Sequence, residues 1–286
     1  MTDGDAEPPA TVGTAATAAD LDIDPPLALA SLSGDSDAEW ARAGDDYAGA
    51  AFLGGIAVDA ESRAAVREMV ADRDRDEFLP EDPLAWIDDQ LDALADSEAD
   101  LRAGVNVRAT TPTAVRDAAA VCADHGAIVE VNAHCRQAEL CAVGCGETLL
   151  SDTDRLSEYV AAAAGTGADV SVKVRAEVQS VDLAEVAGAV ADAGADAIHV
   201  DAMDSEGVVG VVKDAAPGLV VIANNGVRGR RTVREYLAAG ADAVSVGRPS
   251  DDERVLRRVR TAVDEWADEA GQPGVAAGAG PPEVGR

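Results

Sequence analysis

Residues 167–201 read GADVSVKVRAEVQSVDLAEVAGAVADAGADAIHVD, and the repeat inside this stretch decides the fold. A β-branched, apolar run opens it at 169–175. Apolar residues then recur every three or four positions over 183–193, and a second apolar run closes it at 197–201. This is a strand, a helix and a strand. Gly167-Ala168-Asp169 and Gly194-Ala195-Asp196 stand where a helix hands over to a strand, and the same tripeptide returns at Gly240-Ala241-Asp242. Glycine suits that junction because helices commonly end on a residue in the left-handed conformation. The repeated unit points to a parallel α/β protein.

Working outward, further strands are expected at 27–32, 50–53, 104–108, 127–132, 219–223 and 243–246. Helices are expected at 112–123, 156–164 and 232–239, with an additional one at 82–94 inside the second crossover and a last one at about 251–267. Eight strands, each followed by a helix, favour a closed (β/α)8 TIM barrel over an open doubly wound sheet. Residues 25–268 are read as this single domain. Residues 1–24, rich in Ala, Thr, Asp and Pro, and residues 269–286, rich in Gly, Ala and Pro, are read as disordered tails.

Of the 286 residues, 54 are Asp or Glu and 23 are Lys or Arg, for a net charge of −31. A disordered acidic chain would lack apolar residues, but 47% are hydrophobic here, so the charge is read as an acidic shell on a folded protein. Such a shell is characteristic of proteins from salt-loving organisms, where high ionic strength screens self-repulsion. At ordinary salt it opposes non-specific binding of nucleic acid, so DNA is not expected. No apolar run reaches the ~20 residues that cross a bilayer. Nothing in the chain points to secretion, so a cytoplasmic location is expected, with Cys122, Cys135, Cys141 and Cys145 as free thiols.

In a barrel of this kind, chemistry gathers at the C-terminal strand ends. The third strand carries Asn106 and Arg108, and the fourth runs through Glu130 and Asn132 into His134-Cys135-Arg136-Gln137. The fifth carries Lys173 and Arg175, and the sixth His199 and Asp201. Asn224-Asn225-Gly226 and Gly247-Arg248 end the last two. Lys173 is one of only two lysines and lies in an apolar strand. A buried ammonium demands an anion or acceptor, either a ligand or a structural carboxylate such as Glu130 or Asp201. Asn224, Gly226, Gly247 and Arg248 stand where such barrels bind phosphate. Cys135 sits between His134 and Arg136, which favours a reactive sulfur. Cys135, Cys141 and Cys145 match no common metal spacing and lack a fourth ligand, so no metal is expected.

Asn132-Ala133-His134-Cys135, followed by Gly144-Cys145-Gly146 and Leu149-Leu150, resembles the signature of tRNA-dihydrouridine synthases. Val172-Lys173-Val174-Arg175, Ile222-Ala223-Asn224 and Val246-Gly247-Arg248 resemble that family's other blocks in the same order, over residues 25–250. The chain is most similar to an archaeal branch of these barrels, which are related to dihydroorotate dehydrogenase. The resemblance implies a flavin-dependent oxidoreductase acting on CH–CH bonds, with FMN as cofactor and NADPH or NADH as electron donor. Lys173 would meet the pyrimidine edge of the flavin, and Asn106 stands where relatives carry a flavin-contacting Gln. Asn224, Gly226, Gly247 and Arg248 would hold the phosphate. Asn132, Arg175, His199 and Asp201 would contact substrate, and Cys135 would be the general acid. The implied partner is tRNA or a small pyrimidine-like molecule.

The sequence also departs from the family. His134 and Arg136 replace a Gly and a Pro beside the cysteine. Asp201 aligns with the family's flavin-contacting His; His199, two residues earlier on the same strand face, either takes over that contact or is a structural residue inside the barrel. After Arg248 only one helix is expected, without the RNA-gripping helical domain of the synthases. Two other readings stay open: a dihydroorotate dehydrogenase-like enzyme on a free small molecule, and a non-catalytic barrel that binds flavin or phosphate.

Overall fold

A computed structural model of the chain describes residues 15–72 and 76–270. Eight parallel strands close into a barrel in sequence order: β1 (Leu27–Leu29), β2 (Ala50–Ala57), β3 (Arg102–Arg108), β4 (Ile128–Asn132), β5 (Val170–Arg175), β6 (Ala197–Asp201), β7 (Val220–Asn224) and β8 (Ala243–Val246). Helices cover the outside, and the interface between strands and helices forms the main apolar core. The fold is a (β/α)8 TIM barrel.

Local chemistry explains the element boundaries. Asp37, Asp82, Thr111, Asp152 and Asp182 each accept a hydrogen bond from a backbone N–H in the first turn of the helix that follows. Part of the acidic content is therefore helix capping. Gly167, Gly194 and Gly240 all adopt the left-handed conformation, as the repeated tripeptide requires. The aspartates of the same tripeptides pin the sheet register. Asp196 accepts from the Val170 N–H at 2.8 Å, and Asp242 from the Val221 N–H at 2.8 Å. Asp169 pairs with Arg102.

Two departures from the sequence reading shape the site. Strand β2 does not stop at residue 53. It continues through Gly54-Gly55, whose positive φ angles of 84° and 40° form a bulge and restart the pairing with β3 at Ile56. The read strand at 27–32 is shorter, ending at Leu29, which frees Ala30–Ser33 to line the mouth.

The N-terminal region also differs from the expectation. Residues 1–14 and 271–286, assigned to tails, lie outside the described residues. Ala18–Leu21, also assigned to a tail, form a 3-10 helix that packs with Ile23 against Ala28, Phe52, Ile128, Val220 and Ile222 inside the barrel. This stopper closes the N-terminal end of the barrel. Lys213 fastens it by donating to the Ala16 carbonyl at 2.7 Å, and it also donates to Asp242 at 2.7 Å. The chain's two lysines thus sit at opposite ends of the barrel.

Candidate active site

Above the stopper, the inward faces of the strands change from apolar to polar. Glu130 is fully buried at the centre of this layer. Its Oε1 accepts from Asn106 Nδ2 at 2.7 Å, its Oε2 lies 2.7 Å from His199 Nδ1, and Ser171 Oγ is 3.4 Å away. Burial pushes the carboxyl up. The charges of His199 and Lys173, with the hydrogen bonds from His199 and Asn106, outweigh burial and bring it down to about 2. Burial and Lys173 hold His199 below its ordinary value. His199 Nδ1 faces the Glu130 carboxylate and donates to it, and Nε2 lies 2.7 Å from Ser245 Oγ.

Because a carboxylate only accepts, Glu130 fixes the orientation of two buried amides. Asn106 turns its Nδ2 to Glu130, so its Oδ1 accepts from Asn132 Nδ2 at 2.8 Å. Asn132 Oδ1 then accepts from the backbone N–H groups of His134 and Cys135, at 3.3 and 3.1 Å. A chain of hydrogen bonds thereby runs from the barrel centre to the loop that carries Cys135. The far side of that loop is fixed at Gly146, where φ is 59° and a Cβ would lie 2.0 Å from the Cys135 carbonyl oxygen.

The cavity above this layer has a volume of about 590 Å³, within the range of small-molecule sites. Of the residues expected to bind or react, Asn106, Asn132, Cys135, Lys173, Arg175, Asp201, Asn224, Gly226, Gly247 and Arg248 all line it. His199 does not. It is 0% exposed beneath the floor, bound to Glu130 and Ser245, so the substrate contact expected of it is replaced by a structural one.

Lys173 is 2% exposed. Its Nζ lies 3.8 Å from Glu130 and donates to Ser31 Oγ at 3.4 Å. An ammonium has three donors, so this wall is held by weak contacts only. Four other polar atoms of the lining are buried with no hydrogen-bond partner: Arg108 Nε, His134 Nδ1, Gln137 Oε1 and Arg175 Nε. At Gly226 and Gly247 an added Cβ would meet nothing within 4 Å, so backbone is exposed to open space at the expected phosphate position.

The cations Arg108, Arg136, Lys173, Arg175, Arg228 and Arg248 line the cavity against the carboxylates Asp35 and Asp201. This basic mouth stands in a chain of net charge −31. Burial and Lys173 hold His134 well below its ordinary value, so it adds no charge near neutrality. Among the described residues, no group of three or more His, Cys, Asp or Glu is placed to hold a metal, and no helix is long and apolar enough to cross a membrane.

Some residues that line the cavity or brace its walls were given no role in the sequence reading. Ser31 and Ser33 follow a strand that ends early. Asn225 adopts φ 89° and donates to Asp201 at 2.9 Å. Its place between Asn224 and Gly226 was the available signal, since Asn tolerates the left-handed region. Glu77, which pairs with Arg108 at 2.7 Å, comes from a loop with no periodicity.

The family model described as Dihydrouridine synthase (Dus) matches residues 57–275. The chain belongs to the dihydrouridine synthase family. The match covers strands β3 to β8 and every lining residue except those of the first βα loop. An uncharacterized protein of Methanocaldococcus jannaschii is 26% identical to this dihydrouridine synthase relative over 238 residues, 79% of this chain and 89% of its own length. Among solved structures, a FabK mutant from Thermotoga maritima aligns with TM-score 0.55 at 19% identity, over 83% of this chain and 66% of its own. A tryptophan synthase complex from Pyrococcus furiosus aligns with TM-score 0.51 at 16% identity, over 85% and 97%. At these identities the structural matches show the barrel fold that the family shares.

Proposed function

We propose that this chain is an FMN-dependent oxidoreductase that reduces or oxidises a C=C bond of a uracil-like ring, with uridine in tRNA as the first substrate to test. The observation that carries the reading is Lys173, a buried ammonium on the cavity wall whose hydrogen bonding within the protein is one 3.4 Å contact. An electron-accepting ring that becomes anionic on reduction supplies what this group lacks. Membership of the dihydrouridine synthase family supports the same cofactor.

FMN, when bound, supplies hydride chemistry, with NADPH or NADH as its source of electrons. The residues of the chain divide the remaining work. Lys173 stabilises negative charge on the pyrimidine edge of the ring, and Asn106 contacts it from β3. Asn224, Gly226, Gly247 and Arg248 hold the phosphate through exposed backbone and one guanidinium. Asn132, Arg175 and Asp201 seat the substrate, and Cys135 exchanges a proton with the ring carbon next to the one that exchanges hydride.

Arg108 pairs with Glu77, Arg175 with Glu147, and Lys173 lies 3.8 Å from Glu130, so the preference for a phosphate-bearing substrate over a free neutral ring rests on Arg136, Arg228 and Arg248 at the mouth. The acidic shell suits a salt-rich cytoplasm, so molar KCl is the medium for assay.

Purification in molar KCl should yield a yellow protein with flavin bands in the visible spectrum. A colourless protein that added FMN cannot reconstitute would refute the cofactor. Dihydrouridine in tRNA from a deletion strain and its parent then tests the substrate: unchanged levels at every position would turn the reading to a free small molecule. Cys135→Ala separates enzyme from scaffold, since a binding module has no turnover to lose.

A further inference from the structure

We propose that Arg228, Arg254 and Arg258 form a docking ridge for the sugar–phosphate backbone of an RNA, at the rim of the cavity beside β7 and β8. The inference deepens the function proposed above and rests on it for the base that the RNA delivers to the cavity.

Basic residues are scarce in this chain and unevenly placed. Residues 228–260 hold nine of the 23 Lys and Arg but only five of the 54 Asp and Glu. The stretch spans the end of the loop after β7, the helix Arg230–Ala238, β8 and the start of the last helix, Glu253–Ala270. Both helices follow their strands, so their first turns stand at the C-terminal rim where the cavity opens. Elsewhere the helices belong to the acidic shell: Pro83–Ala95 and Leu183–Asp192 carry acids and no Lys or Arg.

Five arginines of the stretch are neutralised. Arg230 pairs with Glu265, Arg231 with Glu235, Arg234 with Glu269, Arg257 with Glu253 and Arg260 with Asp264. Arg228, Arg248, Arg254 and Arg258 are exposed and enter no ion pair among the described residues. Arg248 is left to the flavin phosphate. Arg228 lines the cavity, and Arg258 Nε donates to the Arg228 carbonyl at 3.4 Å, which sets the last helix against that loop. Arg254 stands one turn before Arg258 on the same helix face. The nearby Asp252 is engaged by the helix start, where it accepts from the Arg254 N–H at 2.9 Å. Three unneutralised cations are therefore contiguous, and one of them lines the site.

The arrangement runs against local stability. Arg254 and Arg258 are like charges four residues apart on one helix, and they repel. The last helix also carries Arg254, Arg257, Arg258 and Arg260 in its first half and Asp264, Glu265, Asp268 and Glu269 in its second. That is the reverse of what the helix dipole favours. Cations kept without partners at such a place, in a chain of net charge −31, are matched by an anion from outside.

A polynucleotide fits this ridge better than an acidic protein does, because Arg228 joins it to the cavity. Backbone phosphates flanking the reacting nucleotide meet Arg228, Arg254 and Arg258 while the base enters the site. In molar KCl long-range attraction is screened within about 3 Å, so the hold comes from direct guanidinium–phosphate forks.

Fluorescence anisotropy of a labelled tRNA transcript and a labelled oligouridylate, over a KCl series from molar downward, tests the proposal without any turnover. The double variant Arg254→Gln/Arg258→Gln should raise the Kd for both about tenfold or more. It should also lower the slope of log Kd against log [KCl] by about one per arginine. Its FMN binding should be unchanged and its urea midpoint equal or higher, since repulsion is relieved. Arg67→Gln/Arg116→Gln alters net charge equally at exposed arginines on the helices Ala60–Asp72 and Pro112–Asp124, and should keep the wild-type Kd. A wild-type Kd in the ridge variant would overturn the proposal, as would an equal loss in Arg67→Gln/Arg116→Gln. Displacement of the oligouridylate by polyglutamate at equal charge would overturn RNA as the occupant in favour of an acidic protein. The two readings fail separately. Ridge-independent RNA binding in a yellow protein removes only this inference, and ridge-dependent binding in a protein that refuses FMN removes only the flavin.

Discussion

Replacing Glu130 by Gln keeps the shape of the side chain and removes its charge, so the stability lost is set by the electrostatics at the barrel centre. The wild-type carboxyl falls from its ordinary 4.5 to about 2. At about 1.4 kcal/mol per pH unit, that interval corresponds to about 3 kcal/mol of stability at neutral pH. Breaking a buried pair by removing one partner costs about 3–5 kcal/mol, which agrees. The sign follows from the depressed value. The contribution is complete above the unfolded value of 4.5 and is lost as pH falls through about 2. Urea unfolding in molar KCl should therefore show Glu130→Gln less stable than wild type by about 3 kcal/mol at pH 7 and by about 2 kcal/mol at pH 3.5. A difference under about 1 kcal/mol at pH 7, or one that does not shrink toward acid, would refute this account of Glu130.

Lys173→Met should raise the Kd for added FMN about a hundredfold, measured by flavin fluorescence, because a buried charged contact is lost. Gly146→Ala places a Cβ 2.0 Å from the Cys135 carbonyl at a φ of 59°, so it should destabilise the protein by about 3 kcal/mol or more and alter Cys135 alkylation, read by calorimetry and peptide mass. Ile23→Ala empties part of the stopper beneath Phe52. It should cost roughly 3 kcal/mol in urea unfolding while leaving Cys135 alkylation at the wild-type rate.

The barrel and the composition of its mouth were readable because they rest on short-range periodicity and on one rule about strand ends. Lys173 stood out as a rare cation in an apolar run, and its burial beside Glu130 follows from the same alternation. Depth was not readable. His199 and Asp201 share a face of β6, but barrel strands tilt, so residues paired across neighbours sit at different heights. The sequence therefore left His199 open between a ligand contact and a structural place inside the barrel, and the structure puts it in the second, one layer below the cavity. Gly54-Gly55 read as the end of a strand because glycine usually interrupts one, whereas here it turns the strand and makes room for Arg108. The stopper at Ala18–Ile23 is too short to carry a period, and its apolar residues are scattered among aspartates. Glu77 was unreadable because nothing in its loop encodes which buried cation it meets.

The plug of Leu21, Ile23 and Phe52 has a kinetic consequence for the proposed chemistry. A tube open at both ends could admit an electron donor from below while substrate waited above. With the lower end filled, the nicotinamide and the acceptor must use the same doorway in turn, one leaving before the other arrives. The proposed enzyme should then give parallel lines in double-reciprocal plots, and excess of either reactant should obstruct the other.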